Sequence, residues 1–251
     1  MHQRRLRVFA GPNGSGKSSL LEQIPKSVPL GYYINADEIE KLIVSGKAIR
    51  LCDFGISPDL NDLSRFLKKS DYARNKSDPG KLVASFTISD VILKTVNANL
   101  LPAYTAAIIS DFIREENLKS GNDFSFETVM SHPDKLEFLR RAVKSGYHVY
   151  LYFISTDDVR VNIDRVNTRV RSGGHDVPVK KIRDRYYRSL DLLYSALGIC
   201  YKSYLFDNSH NTIEIARIDR DGIMYPSVKA NQIPNWMIKY VISKSRKSNN
   251  K

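Results

Sequence analysis

Gly11-Pro12-Asn13-Gly14-Ser15-Gly16-Lys17-Ser18 follows the spacing Gly-x-x-x-x-Gly-Lys-[Ser/Thr], directly after the apolar run Leu6-Arg7-Val8-Phe9-Ala10. A strand ending at Ala10 delivers the chain into a turn where glycines permit positive φ and backbone N–H groups converge on phosphate oxygens. Lys17 then opens a helix, predicted over residues 16 to 25 from Ser18, Leu20, Leu21 and Ile24, whose positive dipole end faces the same anion. The chemistry is capture of a nucleotide by its phosphates. Gly11 to Ser18 and the adjoining Ser19 cradle the phosphates, Lys17 meets their outer charge, and Ser18 ligates Mg²⁺.

Two further polar positions follow predicted strands. In Asn35-Ala36-Asp37-Glu38, Asn35 reads as a helix N-cap with Glu38 three residues on, a capping-box spacing that puts Asp37 in the first helical turn. Ligands of open α/β sheets bind along the carboxyl edge of the strands, so Asp37 is a candidate to accept a proton from an acceptor hydroxyl or to orient Mg²⁺. A helix dipole alone also favours an acid there, and position does not separate the two readings. Phe126-Glu127-Thr128 ends another predicted strand with a carboxylate and a hydroxyl, suited to holding an acceptor, or equally to a polar strand end meeting water.

The third feature is arginine. From about Thr156, Val159, Ile163, Val166 and Val170 make one apolar helix face, while Arg160, Arg165, Arg169 and Arg171 occupy the others. Gly173-Gly174 ends that helix, and Pro178 opens a second with Ile182, Tyr186, Leu190, Leu193 and Leu197 on one side. Residues 156–197 thus read as a lid closing over a triphosphate, with Arg169 and Arg171 beside the hinge neutralising charge in the transition state. Two solvated basic helices are the plainer alternative.

Elements able to position these groups are strands at 6–10, 31–35, 123–128, 147–154 and 203–206 with helical patterns between them. That alternation predicts an α/β fold of the P-loop NTPase and kinase kind: a mainly parallel sheet flanked by helices. Residues 213–225 alternate around Asp219-Arg220-Asp221-Gly222 and predict a C-terminal hairpin at the sheet edge. Residues 51–100 break the rhythm and read as an insertion with one or two helices. The whole is predicted as a single domain with a basic tail over 241–251. No strand ends in four apolar residues and an Asp, since Phe153-Ile154-Ser155-Thr156 comes before Asp157. The acid that motor ATPases place there is missing, and Asp37 could serve in its stead.

Bulk composition bounds the rest. Apolar residues make up 42% and charged residues 26%, a globular balance. No run approaches a membrane span of about 18 apolar residues, and no signal-peptide core follows the basic start, so a cytoplasmic protein is expected. Cys52 and Cys200 are too few and too separate for a disulfide framework or a metal-type spacing. A net charge of +12 invites nucleic acid without compelling it, because a phosphoryl-transfer site also needs cations.

Taken in order, the phosphate loop, Asn35-Ala36-Asp37-Glu38-Ile39, Phe126-Glu127-Thr128 and Arg169-Val170-Arg171-Ser172-Gly173-Gly174-His175-Asp176-Val177-Pro178 with Arg185-Tyr186-Tyr187-Arg188-Ser189-Leu190 resemble the zeta-toxin-like P-loop kinases. Phe206-Asp207-Asn208-Ser209 also resembles a family strand end near the nucleotide, which places Asn208 with the cofactor. The resemblance implies transfer of the γ-phosphoryl of ATP or GTP to a hydroxyl of a small molecule, in characterised members a UDP-N-acetylsugar. It makes Lys17 and Ser18 the phosphate and Mg²⁺ groups, Asp37 the base, Glu127 and Thr128 acceptor contacts, and Arg169 and Arg171 charge-neutralising. It further implies an antitoxin protein as partner. A polynucleotide or nucleoside kinase, and a regulatory P-loop ATPase without a small-molecule acceptor, are the competing functions.

Overall fold

The computed structural model describes residues 3–96, 101–102, 104–173 and 176–248. Its contacts fall into two compact units: Met1–Pro29 with Glu127–Lys251, and Leu30–Phe126.

The first unit is built on β1 (Arg5–Ala10), in which Leu6, Val8, Phe9 and Ala10 are completely buried. It pairs in parallel with β7 (His148–Ser155), which pairs in parallel with β8 (Lys202–Asp207). Near-continuous apolar runs in β1 and β7 are what strands buried on both faces require. β9 (Ile213–Asp219) and β10 (Met224–Pro226) then add antiparallel, closing the edge with the expected hairpin around Gly222, whose N–H bonds the Asp219 carbonyl. Helices α1 (Lys17–Gln23), α7 (Asp134–Lys144), α8 (Val159–Arg171) and α9 (Val179–Leu197) flank these strands. The first helix is shorter than predicted, because Ile24 is already extended and Pro25 follows.

In the second unit β2 (Tyr32–Ile34) pairs in parallel with Phe124–Phe126 of β6 (Phe124–Thr128). The last two residues of β6, Glu127 and Thr128, belong to the first unit, whose other strands run in the order β10-β9-β8-β7-β1. α2 (Ala36–Val44) packs on α6 (Thr105–Ser120), which buries Arg114. That guanidinium pairs with Asp111 and lies 4.7 Å over the Phe126 ring, and burial pulls its pKa down to about 10, leaving it protonated at neutral pH.

The region 51–100 departs from the expected one or two helices. After β3 (Ile49–Arg50) and a single 3₁₀ turn come three short helices, α3 (Leu60–Lys69), α4 (Asp71–Lys76) and α5 (Pro79–Ala84). They are followed by β4 (Phe86–Ser89) and β5 (Ile92–Thr95), and the strands form a separate antiparallel sheet ordered β3-β5-β4. Residues 97–100 of the expected insertion lie outside the described residues. Of the basic tail expected over 241–251, residues 249–251 lie outside the described residues. α10 (Asn235–Met237), a π-helical stretch Ile238–Ile242 and α11 (Ser243–Ser248) pack as structure, and Lys244 Nζ donates to the Asp191 carbonyl at 2.9 Å. Among the described residues no helix is long and apolar enough to cross a membrane.

Candidate functional site

The loop after β1 has the backbone of a cradle. Gly11 N–H donates to the Thr128 carbonyl at 3.2 Å and Ser15 N–H to the Pro12 carbonyl at 3.3 Å, which fixes both ends of the turn. A Cβ on Gly11 would lie 2.1 Å from the Ile154 carbonyl oxygen, and one on Gly14, at φ +74°, 2.4 Å from that of Asn162. Both obstacles are backbone and cannot swing aside. Gly14→Ala is therefore expected to lose about 3 kcal/mol of stability, the sum of left-handed strain and overpacking. Gly46→Ala, at φ +65° with nothing within 4 Å, should lose only about 1 kcal/mol. Urea unfolding of the two variants checks the contrast, and equal losses would mean the loop is not sterically held.

Helix α1 starts at Lys17, so the N–H groups of Lys17, Ser18 and Ser19 have no acceptor within the helix and face the loop's mouth. Lys17 Nζ folds back across the loop, donating to the Gly11 carbonyl at 3.0 Å and the Pro12 carbonyl at 2.9 Å. Ser15 Oγ is completely buried without a hydrogen-bond partner. A turn closed to a Cβ at Gly11 and Gly14, a helix start behind it and the unpartnered Ser15 hydroxyl fit a polyphosphate.

The structure brings Ser18 and Glu127 together: Ser18 Oγ donates to Glu127 Oε2 at 3.2 Å. Glu127, expected as an acceptor contact, thus stands beside the hydroxyl expected to ligate Mg²⁺. Among the described residues no three His, Cys, Asp or Glu side chains converge as a metal cage. The site fits Mg²⁺ held by one hydroxyl, an adjoining carboxylate and phosphate oxygens. Thr128 is committed to the turn. Its carbonyl accepts from Gly11, and its Oγ1 accepts from the N–H of Met130, a non-glycine residue at φ +51°.

The lid helices grip the loop from one side. Asn162 is fully buried on α8, and its Nδ2 donates to the Asn13 carbonyl at 2.7 Å while Thr156 Oγ1 donates to its Oδ1. Tyr186 of α9 donates to the Thr156 carbonyl at 2.7 Å; burial pushes its phenol pKa up and keeps it a donor. Arg185 Nη1 reaches Asn13 Oδ1 at 3.5 Å. Among the lid arginines Arg185 therefore touches the loop. Arg169 and Arg171 lie exposed in the last turn of α8, and Arg169 is about 10 Å further along the axis than Asn162 at 1.5 Å per residue. The helix begins at Val159 behind Asp158 as N-cap, later than expected, because Thr156 is taken up in the Asn162 network. Gly174 and His175 of the hinge lie outside the described residues.

Asn208 is placed by β8 and donates from Nδ2 to the Ser15 carbonyl at 2.9 Å, so it shapes the loop. Asp37 belongs to the other unit. It is exposed in the first turn of α2, and its N–H donates to Asn35 Oδ1 at 2.9 Å. The cap is thus present but closes on residue 37, one residue short of the Glu38 N–H that a capping box would use.

Asn162 was the group sequence reasoning passed over. Its available signal was a polar residue next to Ile163 on the stripe that seats α8. Arg185 was visible as one arginine among several, with nothing in the helical pattern to single it out.

No protein-family model matches the chain. A stretch of 69 residues is 29% identical to an uncharacterized protein of Haemophilus influenzae, covering 28% of this chain and 49% of that protein. The solved structure of AvrRxo1-ORF1:AvrRxo1-ORF2 with sulphate ions superposes with a TM-score of 0.52 at 12% identity, over 90% of this chain and 61% of that one. The likeness shows the fold: α/β, with a mainly parallel sheet flanked by helices. The AvrRxo1-ORF1:-ORF2 structure with ATP gives a TM-score of 0.50 at the same 12% identity, again over 90% of this chain and 61% of that one. A chain from the PezAT chromosomal toxin-antitoxin system of Streptococcus pneumoniae, 14% identical, reaches 0.49 over 95% of this chain and 76% of that one. This chain spans about half of the curated relative and about three fifths of the AvrRxo1 chain.

Proposed function

We propose that this protein is a phosphotransferase that moves the γ-phosphoryl of ATP or GTP to a hydroxyl of a small molecule, in the manner of the zeta-toxin-like kinases. The observation that carries the reading is the Ser18–Glu127 contact of 3.2 Å beside a loop closed to a Cβ at Gly11 and Gly14. An acid at this place supplies the carboxylate missing from the end of β7, and the AvrRxo1 structure with ATP supports a nucleotide on this fold.

The loop's backbone donors bind the phosphates. Lys17 exchanges its two carbonyl partners for the outer phosphate oxygens, a short movement for a flexible ammonium. Ser18 and Glu127 would be the protein-side groups for Mg²⁺, which would supply charge neutralisation at the phosphates. Asp37 accepts the acceptor's hydroxyl proton as that oxygen bonds the γ-phosphorus and the bond to the β,γ-bridging oxygen breaks, releasing the nucleoside diphosphate. Arg185, with Arg169 and Arg171 on the adjoining helix, balances the charge gathered on the equatorial oxygens.

Glu127→Gln separates the metal side from the acceptor side. The apparent affinity for Mg²⁺, titrated through binding of a fluorescent ATP analogue, is expected to fall about 10- to 100-fold, the usual effect of losing an outer-shell carboxylate. An unchanged Mg²⁺ titration with a raised KM for the acceptor would return Glu127 to the acceptor.

The acceptor we infer is a UDP-N-acetylsugar, from the family resemblance, in a cytoplasmic setting where such nucleotides occur. A neutralising protein partner follows the same analogy and the two-protein AvrRxo1 structure. Incubation with Mg-ATP and a metabolite extract, followed by mass spectrometry, tests the reading. A new phosphate mass on a nucleotide sugar supports it. Phosphate on oligonucleotide ends, with steeply salt-dependent binding, would favour the polynucleotide kinase instead.

A further inference from the structure

The loop is also held by a chain of contacts that begins at Asn235 and Trp236. Trp236 is 2% exposed and packs at 5.9 Å from the Phe153 ring. Its Nε1–H donates to Asp207 Oδ2 at 2.9 Å in the interior, and its backbone N–H donates to Asp157 Oδ1 at 3.0 Å. Asn235 Nδ2 adds a bond to Asp157 Oδ2 at 2.9 Å. Ser209 ties the two acids together: its N–H and Oγ donate to Asp207, and its Oγ accepts from the Asp157 N–H at 2.9 Å. Between Asp207 and Ser209 sits Asn208. Its N–H donates to the Ser155 carbonyl at 2.8 Å and its Nδ2 to the Ser15 carbonyl inside the phosphate loop at 2.9 Å.

Most of this polar investment has no role in the phosphotransfer chemistry. A buried carboxylate that accepts from an indole and a serine makes strong, directional bonds and fixes the strand end that carries it. The neighbouring residue is the one that holds the loop. The π-helical stretch Ile238–Ile242 and Lys244 secure the same segment on α9. α9 also grips the loop through Arg185 and Tyr186.

We propose that Asn235–Trp236 is a latch on the phosphate loop, with Trp236 and Asp207 as positioning residues that act through Asn208 to hold the loop in its phosphate-binding shape. This rests on the reading of residues 11–19 as the triphosphate site. The carboxyl-terminal segment would then set nucleotide affinity from outside the site.

Trp236→Phe keeps most of the ring against Phe153 and removes the indole donor; Asp207→Asn keeps the shape and removes one acceptor, guarding against a misfolded first variant. Two readouts are needed. Amide hydrogen exchange of the peptide spanning residues 11–20, without nucleotide, is expected to quicken about tenfold in both variants, as local opening becomes easier. The Kd for a fluorescent ATP analogue and the KM for ATP should rise by a similar factor while the acceptor KM stays put. Asn208→Ala should reproduce the defect, and combining it with Trp236→Phe should add little, because both lie on one path. A lowered Tm with unchanged loop exchange would overturn the latch and leave Trp236 as core packing; fully additive defects would overturn the path through Asn208. Quickened loop exchange in a protein whose wild type binds no nucleotide would keep the latch and remove the triphosphate reading instead.

Discussion

Lys17→Met is expected to lower turnover by about 10²- to 10³-fold, the scale of one preorganised donor at developing phosphoryl charge. It should also lower stability, which a purely ligand-facing lysine would not do. Lys17 Nζ bonds the Gly11 and Pro12 carbonyls at 3.0 and 2.9 Å, so the substitution leaves two loop acceptors without their donor. Each part-buried orphan costs on the order of 1 kcal/mol. Lys17→Arg separates the two effects. A guanidinium retains the charge and can bond the carbonyls, yet its rigid planar fork does not substitute for a compact ammonium that must turn from loop to phosphate. Arginine should thus recover much of the Tm and little of the turnover. Single-turnover phosphate transfer alongside thermal unfolding checks both expectations, and full activity in Lys17→Met would remove the loop from the chemistry.

The loop was legible because its residue types are dictated by backbone geometry: no side chain fits at Gly11 or Gly14, so the spacing survives as a readable string. The core strands were legible for a related reason. Val149, Leu151, Phe153 and Ile154 are fully buried, and only an uninterrupted apolar run gives that burial in a central strand. The region 51–100 was not. Asp59, Ser70 and Asp78 each cap a helix with a side-chain bond, and Pro79 stands at a first helical position. With six residues, α4 and α5 span under two turns and show no periodicity to go with their caps. The β4–β5 hairpin was hidden by its turn, where Asp90 and Val91 adopt φ of +51° and +61° without a glycine to mark it. At the site, residue types were readable and contacts were not. Glu127 could be placed at a strand end, but its meeting with Ser18, 109 residues away, is a property of the folded sheet.

The second large effect is expected at Asp37, where Asp37→Asn should reduce turnover by about 10²- to 10⁴-fold, the range of a positioned general base. Nucleotide affinity should change less than about twofold if, as proposed, the loop and not this carboxylate holds the phosphates. The rival account, an acid retained to complement a helix dipole, is worth about 0.3–1 kcal/mol and acts on stability alone. Glu38 provides the internal control. Both acids stand exposed in the first turn of α2, so the dipole treats them nearly alike. Glu38→Gln and Asp37→Asn should therefore shift Tm by similar small amounts, while only Asp37→Asn stops phosphoryl transfer. The Asn35 cap bonds the backbone N–H of residue 37 and is kept in both variants, so the start of the helix is not the variable. Equal turnover in the two variants would mean that Asp37 only begins a helix, and that the proton leaves the acceptor by another group.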